Sequence, residues 1–325
     1  MPSCPGKCVT ATALTHSNLG GFRHEAVFYA GDEDFVERLR PFLQAGVAAR
    51  QPTLVVVAAA KIDALRTALG PDAAHVEFAD MTDVGRNPAR IIPAWSDFVR
   101  RNADAPAIRG IGEPIDARRS PAELAECQRH ESLLNVAFDR GPRLWLLCPY
   151  DLAGLPTDVL EEARRSHPFV TNGRGSEVSL DYIDRGPAAA GFDEPLPEPP
   201  DSAAVMAFRG GWLATVRDFV GEQAQHAKLS TGKVSDLVLA VNELATNSLR
   251  YGGGQGTLRV WHTNRSLVCE VTDNGQLSDP LVGREQPGAG RLGGRGLWMV
   301  NQLCDLVQIR SLPTGTVVRV HSYRG

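Results

Sequence analysis

The sequence predicts two domains of different class, an N-terminal α/β domain with a mainly parallel sheet and a C-terminal α+β domain. Three observations predict it. Short apolar runs alternate with helix-spaced segments through the first half, a proline-rich stretch then interrupts the pattern, and two long helical segments precede a group of strand-like runs beyond it. A length of 325 residues suits about two domains at roughly 150 residues each.

In the first half, Ala26–Ala30, Thr53–Ala59, His75–Ala79, Ala107–Ile111 and Arg143–Cys148 read as strands. Asp34–Arg50, Lys61–Leu69, Pro88–Asn102 and Pro121–Arg140 between them have helical spacing. Such alternation implies a sheet covered on both faces. Prolines 187, 195, 197, 199 and 200 deny the stretch from Gly186 to Asp201 regular hydrogen bonding, and its only charges are acidic. That composition predicts an extended, semi-rigid linker. The expected division is a flexible N-terminus at 1–19, a first domain at 20–185, a linker at 186–202 and a second domain at 203–325.

Beyond the linker, helices are expected at roughly Ala204–His226 and Lys233–Tyr251. Strands are expected at Thr257–Thr263, Leu267–Thr272, Leu306–Ser311 and Thr316–Ser322, with a helix around Gly296–Leu303. The Gly-rich interval Gln276–Gly294 reads as too long for a tight turn and too poor in apolar residues to pack, hence as a mobile functional loop.

Composition narrows the function classes. A net charge of −4 supplies no overall basic field, so direct nucleic-acid binding is not expected. The longest strongly apolar run, Leu54–Ala60, falls far short of the ~20 residues that cross a bilayer, and the first twenty residues lack an apolar signal core. A cytoplasmic protein without membrane attachment is expected. Six cysteines are scattered, only Cys4 and Cys8 lie close together, and no two form a CxxC pair, so reduced thiols in packing positions are expected.

Within Lys233–Tyr251, Val234, Leu237, Val238, Val241, Leu244, Ala245 and Ser248 form one apolar stripe, while Glu243, Asn247 and Arg250 share the opposite face. That face is either simply solvated or, through a carboxylate and an amide one turn apart, suited to a hard cation shared with phosphate. The run Thr272-Asp273-Asn274-Gly275 ends a strand and reads either as a turn or as an acceptor for an exocyclic amine beside room for a flat ring. Gly293-Gly294-Arg295-Gly296-Leu297 directly precedes a helix, where glycines allow close approach and free N–H groups attract phosphate. Gly315-Thr316 opens the last strand.

Taken in order, these four pieces resemble the N, G1, G2 and G3 boxes of the GHKL superfamily of ATPases, and residues 203–325 would then be a GHKL sandwich. Asn242-Glu243-Leu244-Ala245-Thr246-Asn247 together with Gly294-Arg295-Gly296-Leu297-Trp298 resembles the anti-sigma-factor serine/threonine kinase branch most closely. The resemblance implies ATP and Mg²⁺ as cofactors. It implies that Asn247 holds the metal, that Asp273, Gly275 and Thr316 recognise adenine, and that Gly294, Arg295, Gly296 and Leu297 line the phosphate side. Gln276–Gly293 would close as a lid, and Glu243 would be the catalytic base. A histidine kinase is disfavoured because no long two-helix phosphoacceptor segment precedes the N-box; His226 stands alone, and His262 and His321 fall in strand patterns.

Residues 20–185 resemble the MEDS family of sensory domains. The resemblance rests on the stretches from His24 to Tyr29, Glu131 to Asn135, Leu147 to Asp151 and Ser166 to Pro168. No GxxxxGK[ST] occurs, so a second ATP site is not expected. His24, Glu131, Cys148, Asp151 and His167 lie near expected strand ends and either converge on a sensory pocket or serve as turn formers and core polar groups. A metal site from His24, Glu131 and His167 has no local ligand spacing behind it. Trp95 and Trp145 read as core.

Together these readings give a signalling protein. Its sensory domain, responding to an unknown small molecule, would control a kinase module that phosphorylates a serine or threonine of an anti-anti-sigma partner and sequesters a sigma factor. A homodimer is implied by the resemblance. A nucleotide-gated binding module without kinase activity and an atypical sensor histidine kinase stay open as alternatives.

Overall fold

The computed structural model describes residues 21–139, 141, 143–172, 175–184, 194–287 and 294–324. Residues 1–19 with Cys4 and Cys8, the first part of the proline-rich linker, and residues 288–293 of the Gly-rich loop lie outside the described residues.

The first sheet has seven strands in the order β3-β2-β4-β5-β1-β6-β7. They are β1 (Arg23–Tyr29), β2 (Thr53–Val57), β3 (Glu77–Asp80), β4 (Ile108–Gly112), β5 (Leu144–Asp151), β6 (Phe169–Asn172) and β7 (Gly175–Val178). All neighbours run parallel except the β6/β7 pair. Helices α1 (Gly31–Ala48), α2 (Ala59–Leu69), α3 (Met81–Val84), α4 (Ile91–Arg101), α5 (Pro121–Phe138) and α6 (Thr157–Ser166) connect and cover it. Strand parity divides the core in two. Ala26, Phe28, Leu146 and Cys148 pack on one face, whereas Val27, Tyr29, Val55 and Leu147 pack on the other. The start of α5 is fixed by a capping box: Ser120 Oγ accepts from Glu123 N, and Glu123 Oε2 accepts from Ser120 N at 2.8 Å.

The second sheet is antiparallel with the order β11-β12-β10-β9-β8. Its strands are β8 (Ala204–Arg209), β9 (Gln255–His262), β10 (Ser266–Asp273), β11 (Leu306–Leu312) and β12 (Gly315–Tyr323). Helices α7 (Leu213–His226), α8 (Thr231–Tyr251) and α9 (Arg295–Leu303) share one apolar core with it. One expected helix is corrected. Residues 204–209 form an edge strand rather than the start of Ala204–His226, because alternate side chains face the core and Gly211, at φ +86°, turns the chain into α7. Elements the sequence reading passed over, α3, α6, β6 and β7, are short and present few apolar residues.

The expectation that the Gly-rich loop cannot pack is also corrected for its described part. Leu277 and Val282 pack against the second core and Leu281 against the first, while Gly283, at φ +73°, has its carbonyl capped by Asn301 Nδ2 at 2.8 Å. The loop therefore bridges the two sheets. Asn87 Nδ2 donates to the Asn301 carbonyl at 3.0 Å across the same junction. The described part of the linker lies along the second sheet, where the Glu194 and Pro197 carbonyls accept from Arg310 and Arg319. Cys127, Cys148, Cys269 and Cys304 are buried free thiols, and among the described residues no helix is long and apolar enough to cross a membrane.

Candidate nucleotide site

Helix α8 begins at Ser230, whose Oγ caps Lys233 N, and buries Leu237, Ala240, Val241, Leu244, Ala245 and Ser248 against the sheet. This leaves Glu243 and Asn247 half-buried on a neighbouring face rather than in open solvent. Arg250, on the face assigned with them, is exposed. The first turn of α9 comes down on that face. A Cβ added at Gly296 would sit 3.1 Å from Glu243 Oε2 and 3.2 Å from Asn247 Nδ2, so the absence of a side chain there forms a cradle. Gly294, at φ +81°, caps α9 and leaves the N–H groups of its first turn unused by the helix.

At the other end of the cavity, β10 delivers Asp273. Its Oδ2 accepts from Ser248 Oγ at 2.5 Å and its Oδ1 from Gly275 N at 2.8 Å, which fixes the carboxylate while each oxygen keeps a free lone pair. Thr316 Oγ1 donates to the Gly275 carbonyl at 2.8 Å and ties β12 to the same turn. Glycine at 252, 275 and 315 is required because a side chain at any of them would collide with Asp273 or its turn.

The cavity between these ends is about 270 Å³. It is lined by Asn247, Asp273, Gly275, Gly294, Gly296, Leu297 and Thr316 among the sequence-predicted residues. Glu243 lies one turn from Asn247, against Gly296, and Arg295 is exposed on α9 outside the lining. Sequence reasoning passed over Ser248, which orients Asp273, and Tyr251, Val271 and Val282, which wall the cavity. Ser248 carried a signal, a hydroxyl within an otherwise apolar stripe. A carboxamide, a fixed carboxylate, a glycine cradle and a helix N-terminus at the two ends of one slot fit a magnesium-bound purine nucleotide.

The loop beside this cavity is held by the first domain. Glu126 of α5 accepts from Arg310 Nη1 at 2.9 Å and pairs with Arg284 Nη2 at 3.4 Å, all three being buried. Burial lowers the Arg284 pKa, and the neighbouring Glu126 charge opposes that.

In the first domain, His24, Glu131, Cys148 and His167 come together; Asp151 does not join them. Asp151 lies three residues from Cys148 on β5 and therefore on the opposite face, where its carboxylate accepts from Ala153 N at 3.0 Å. Nor does the group open at the C-terminal ends of the strands. His24 is near the start of β1, and the four side chains are sealed between the sheet, α5 and the end of α6, each at most 1% exposed. Burial, reinforced by the nearby His167, lowers the His24 pKa to about 4. Burial next to the Glu131 carboxylate pushes the Cys148 thiol well up. Trp95 is buried core, as expected; Trp145 is half-buried, its Nε1 donating to Glu25 Oε2 at 3.0 Å.

Comparison with known proteins agrees with both halves. Among curated proteins none matches. One solved structure similar to the chain contains the RsbU and RsbW domains of Rv1364c from Mycobacterium tuberculosis, at 16% identity and a TM-score of 0.29, covering 38% of this chain. The match spans about a third of that solved chain, 33%. Two sequence families match directly, one described as MEthanogen/methylotroph, DcmR Sensory domain over residues 23–168 and the other as Histidine kinase-like ATPase domain over residues 209–321. The chain thus carries a MEDS domain followed by a histidine kinase-like ATPase domain.

Proposed function

We propose that the protein is a regulated ATP-dependent serine/threonine kinase of the anti-sigma-factor type, whose MEDS domain controls the ATP lid. The observation that carries the reading is the joint position of Glu243 and Asn247 against Gly296, at the end of a slot whose far end is Asp273. ATP with Mg²⁺ would supply the transferable phosphoryl group. Asn247 would hold the metal, the N–H groups of Gly296 and Leu297 would meet phosphate oxygens, and the free lone pairs of Asp273 would accept from the adenine amine. Glu243 would take the proton from a serine or threonine hydroxyl of an anti-anti-sigma partner. The same surface would capture a sigma factor, and residues 20–185, 186–202 and 203–325 would act as sensor, linker and effector. Glu126, gripping Arg284 from α5, supports control through the lid.

The test is incubation of the full chain with labelled ATP and a candidate anti-anti-sigma protein. Acid-stable phosphate on that partner, abolished in Glu243→Gln while nucleotide affinity persists, is expected. Intact nucleotide binding without transfer in the native chain would reject the kinase reading and leave a nucleotide-gated binding module. Acid-labile phosphate would mark a histidine kinase.

A further inference from the structure

We infer that His24 Nε2, His167 Nε2, Cys148 Sγ and Glu131 Oε2 form a buried four-coordinate site for a divalent transition-metal ion of the zinc class. The four ligand atoms lie within 4.8 Å of one another. His24 Nε2 stands 3.1 Å from Glu131 Oε2 and 3.3 Å from Cys148 Sγ, and His167 Nε2 stands 3.4 Å from the same carboxylate oxygen. A tetrahedral zinc ion with bonds of roughly 2.0–2.3 Å sets its ligand atoms roughly 3.3–3.7 Å apart, so the three short separations already approach that spacing and the widest, up to 4.8 Å, closes by about 1 Å when an ion binds.

Tautomers give the second, independent argument. His167 Nδ1 is 2.8 Å from the Ala163 carbonyl, an acceptor only, so that nitrogen carries the proton. His24 Nδ1 is 3.0 Å from Asn135 Oδ1, and the Asn135 amide nitrogen is committed to the Ser166 carbonyl at 2.8 Å, so the atom facing His24 is an acceptor too. Both rings therefore keep the proton on Nδ1 and turn the Nε2 lone pair inward, where it meets carboxylate and sulfur. Ligating histidines are held in this way, with the outer nitrogen donating to a carbonyl or carboxamide and the inner one bound to metal. His167 Nε2 and Glu131 Oε1 are buried without a hydrogen bond. Lone pairs converging in a sealed space call for a shared electrophile, and the combined charge of a thiolate and a carboxylate matches a divalent cation.

The residues come from β1, α5, β5 and the segment after α6, so an ion there would staple the sheet to both helices on one face. Mixed imidazole, thiolate and carboxylate donors in a closed tetrahedron suit zinc over magnesium or calcium. The assignment does not depend on the nucleotide reading.

The experiment refolds the full chain with Co²⁺ and separately with Zn²⁺, then removes loose metal by gel filtration. Expected results are one metal per chain, a thiolate-to-cobalt band in the near ultraviolet with visible bands of tetrahedral intensity, and a higher Tm for the loaded protein. Cys148→Ala should lose the near-ultraviolet band, and His167→Ala should lose stoichiometric binding. Because a variant can fail to fold, the native chain is decisive by itself. Folded native protein lacking the thiolate band would overturn the site, as would metal retained equally by both variants, which would then lie elsewhere.

Discussion

The carboxylate of Glu126 lies 3.4 Å from the guanidinium of Arg284, and both residues are buried. One residue belongs to a helix covering the first sheet, the other to the loop beside the cavity of the second. Because Arg310 shares the carboxylate, replacing Glu126 with Gln leaves two buried guanidinium groups facing an amide. Breaking a buried pair of this kind costs about 3–5 kcal/mol. Glu126→Gln is therefore expected to lower Tm and to speed amide exchange in residues 277–287, measured by hydrogen exchange with mass spectrometry. Unchanged protection of that loop would show that the contact does not hold it.

Gly296→Ala tests the cradle without straining the backbone. Its new methyl group would lie 3.1 Å from Glu243 Oε2 and 3.2 Å from Asn247 Nδ2. Calorimetry with Mg·ADP should show affinity falling at least about tenfold, or ~1.4 kcal/mol, at an unchanged Tm. Equal affinity in the variant would mean that phosphates do not pass that point.

How much of this was legible in sequence depends on how local each signal is. Parallel strands such as Thr53–Val57 are buried on both faces and read as apolar runs, and α8 repeats its stripe over five turns; both stand out. Edge strand β8 and the β6/β7 hairpin bury too little to outweigh helical spacing nearby. The candidate nucleotide cavity could be anticipated because each of its four pieces has a short local pattern. Docking of Leu281 and Arg284 could not, since it depends on a surface of the other sheet. The convergence of His24, Glu131, Cys148 and His167 likewise draws one residue from each of four segments. Asp151 was grouped with Cys148 because the expected strand ended at Cys148; β5 runs on to Asp151, and strand parity then puts the two on opposite faces.

Asp273 should decide base recognition. Asp273→Asn keeps the size of the side chain but replaces one acceptor oxygen with a donor, and Ser248 and Gly275 both donate to this group. The expected result is a loss of about 10–100-fold in adenine-nucleotide affinity, or ~1.4–2.8 kcal/mol, together with reduced preference for adenine over guanine nucleotides. Retained adenine preference would place the purine elsewhere.

Acid should destabilise the fold through His321. Burial, with the adjacent Arg319 charge, lowers its pKa to about 4, while Glu123 at the start of α5 pulls the other way. Its Nε2 is bonded to Gln308 Oε1 at 3.1 Å. The unfolded chain binds the proton near pH ~6.5, so between that point and about 4 the unfolded state holds more protons and stability falls as the pH is lowered. Above this window the group adds no pH dependence. Buried His130, held to about 3, acts with the same sign, so the informative quantity is a difference between proteins. Denaturant midpoints measured across the window should fall less steeply for His321→Gln than for the native chain. Parallel profiles would assign the acid sensitivity to other groups.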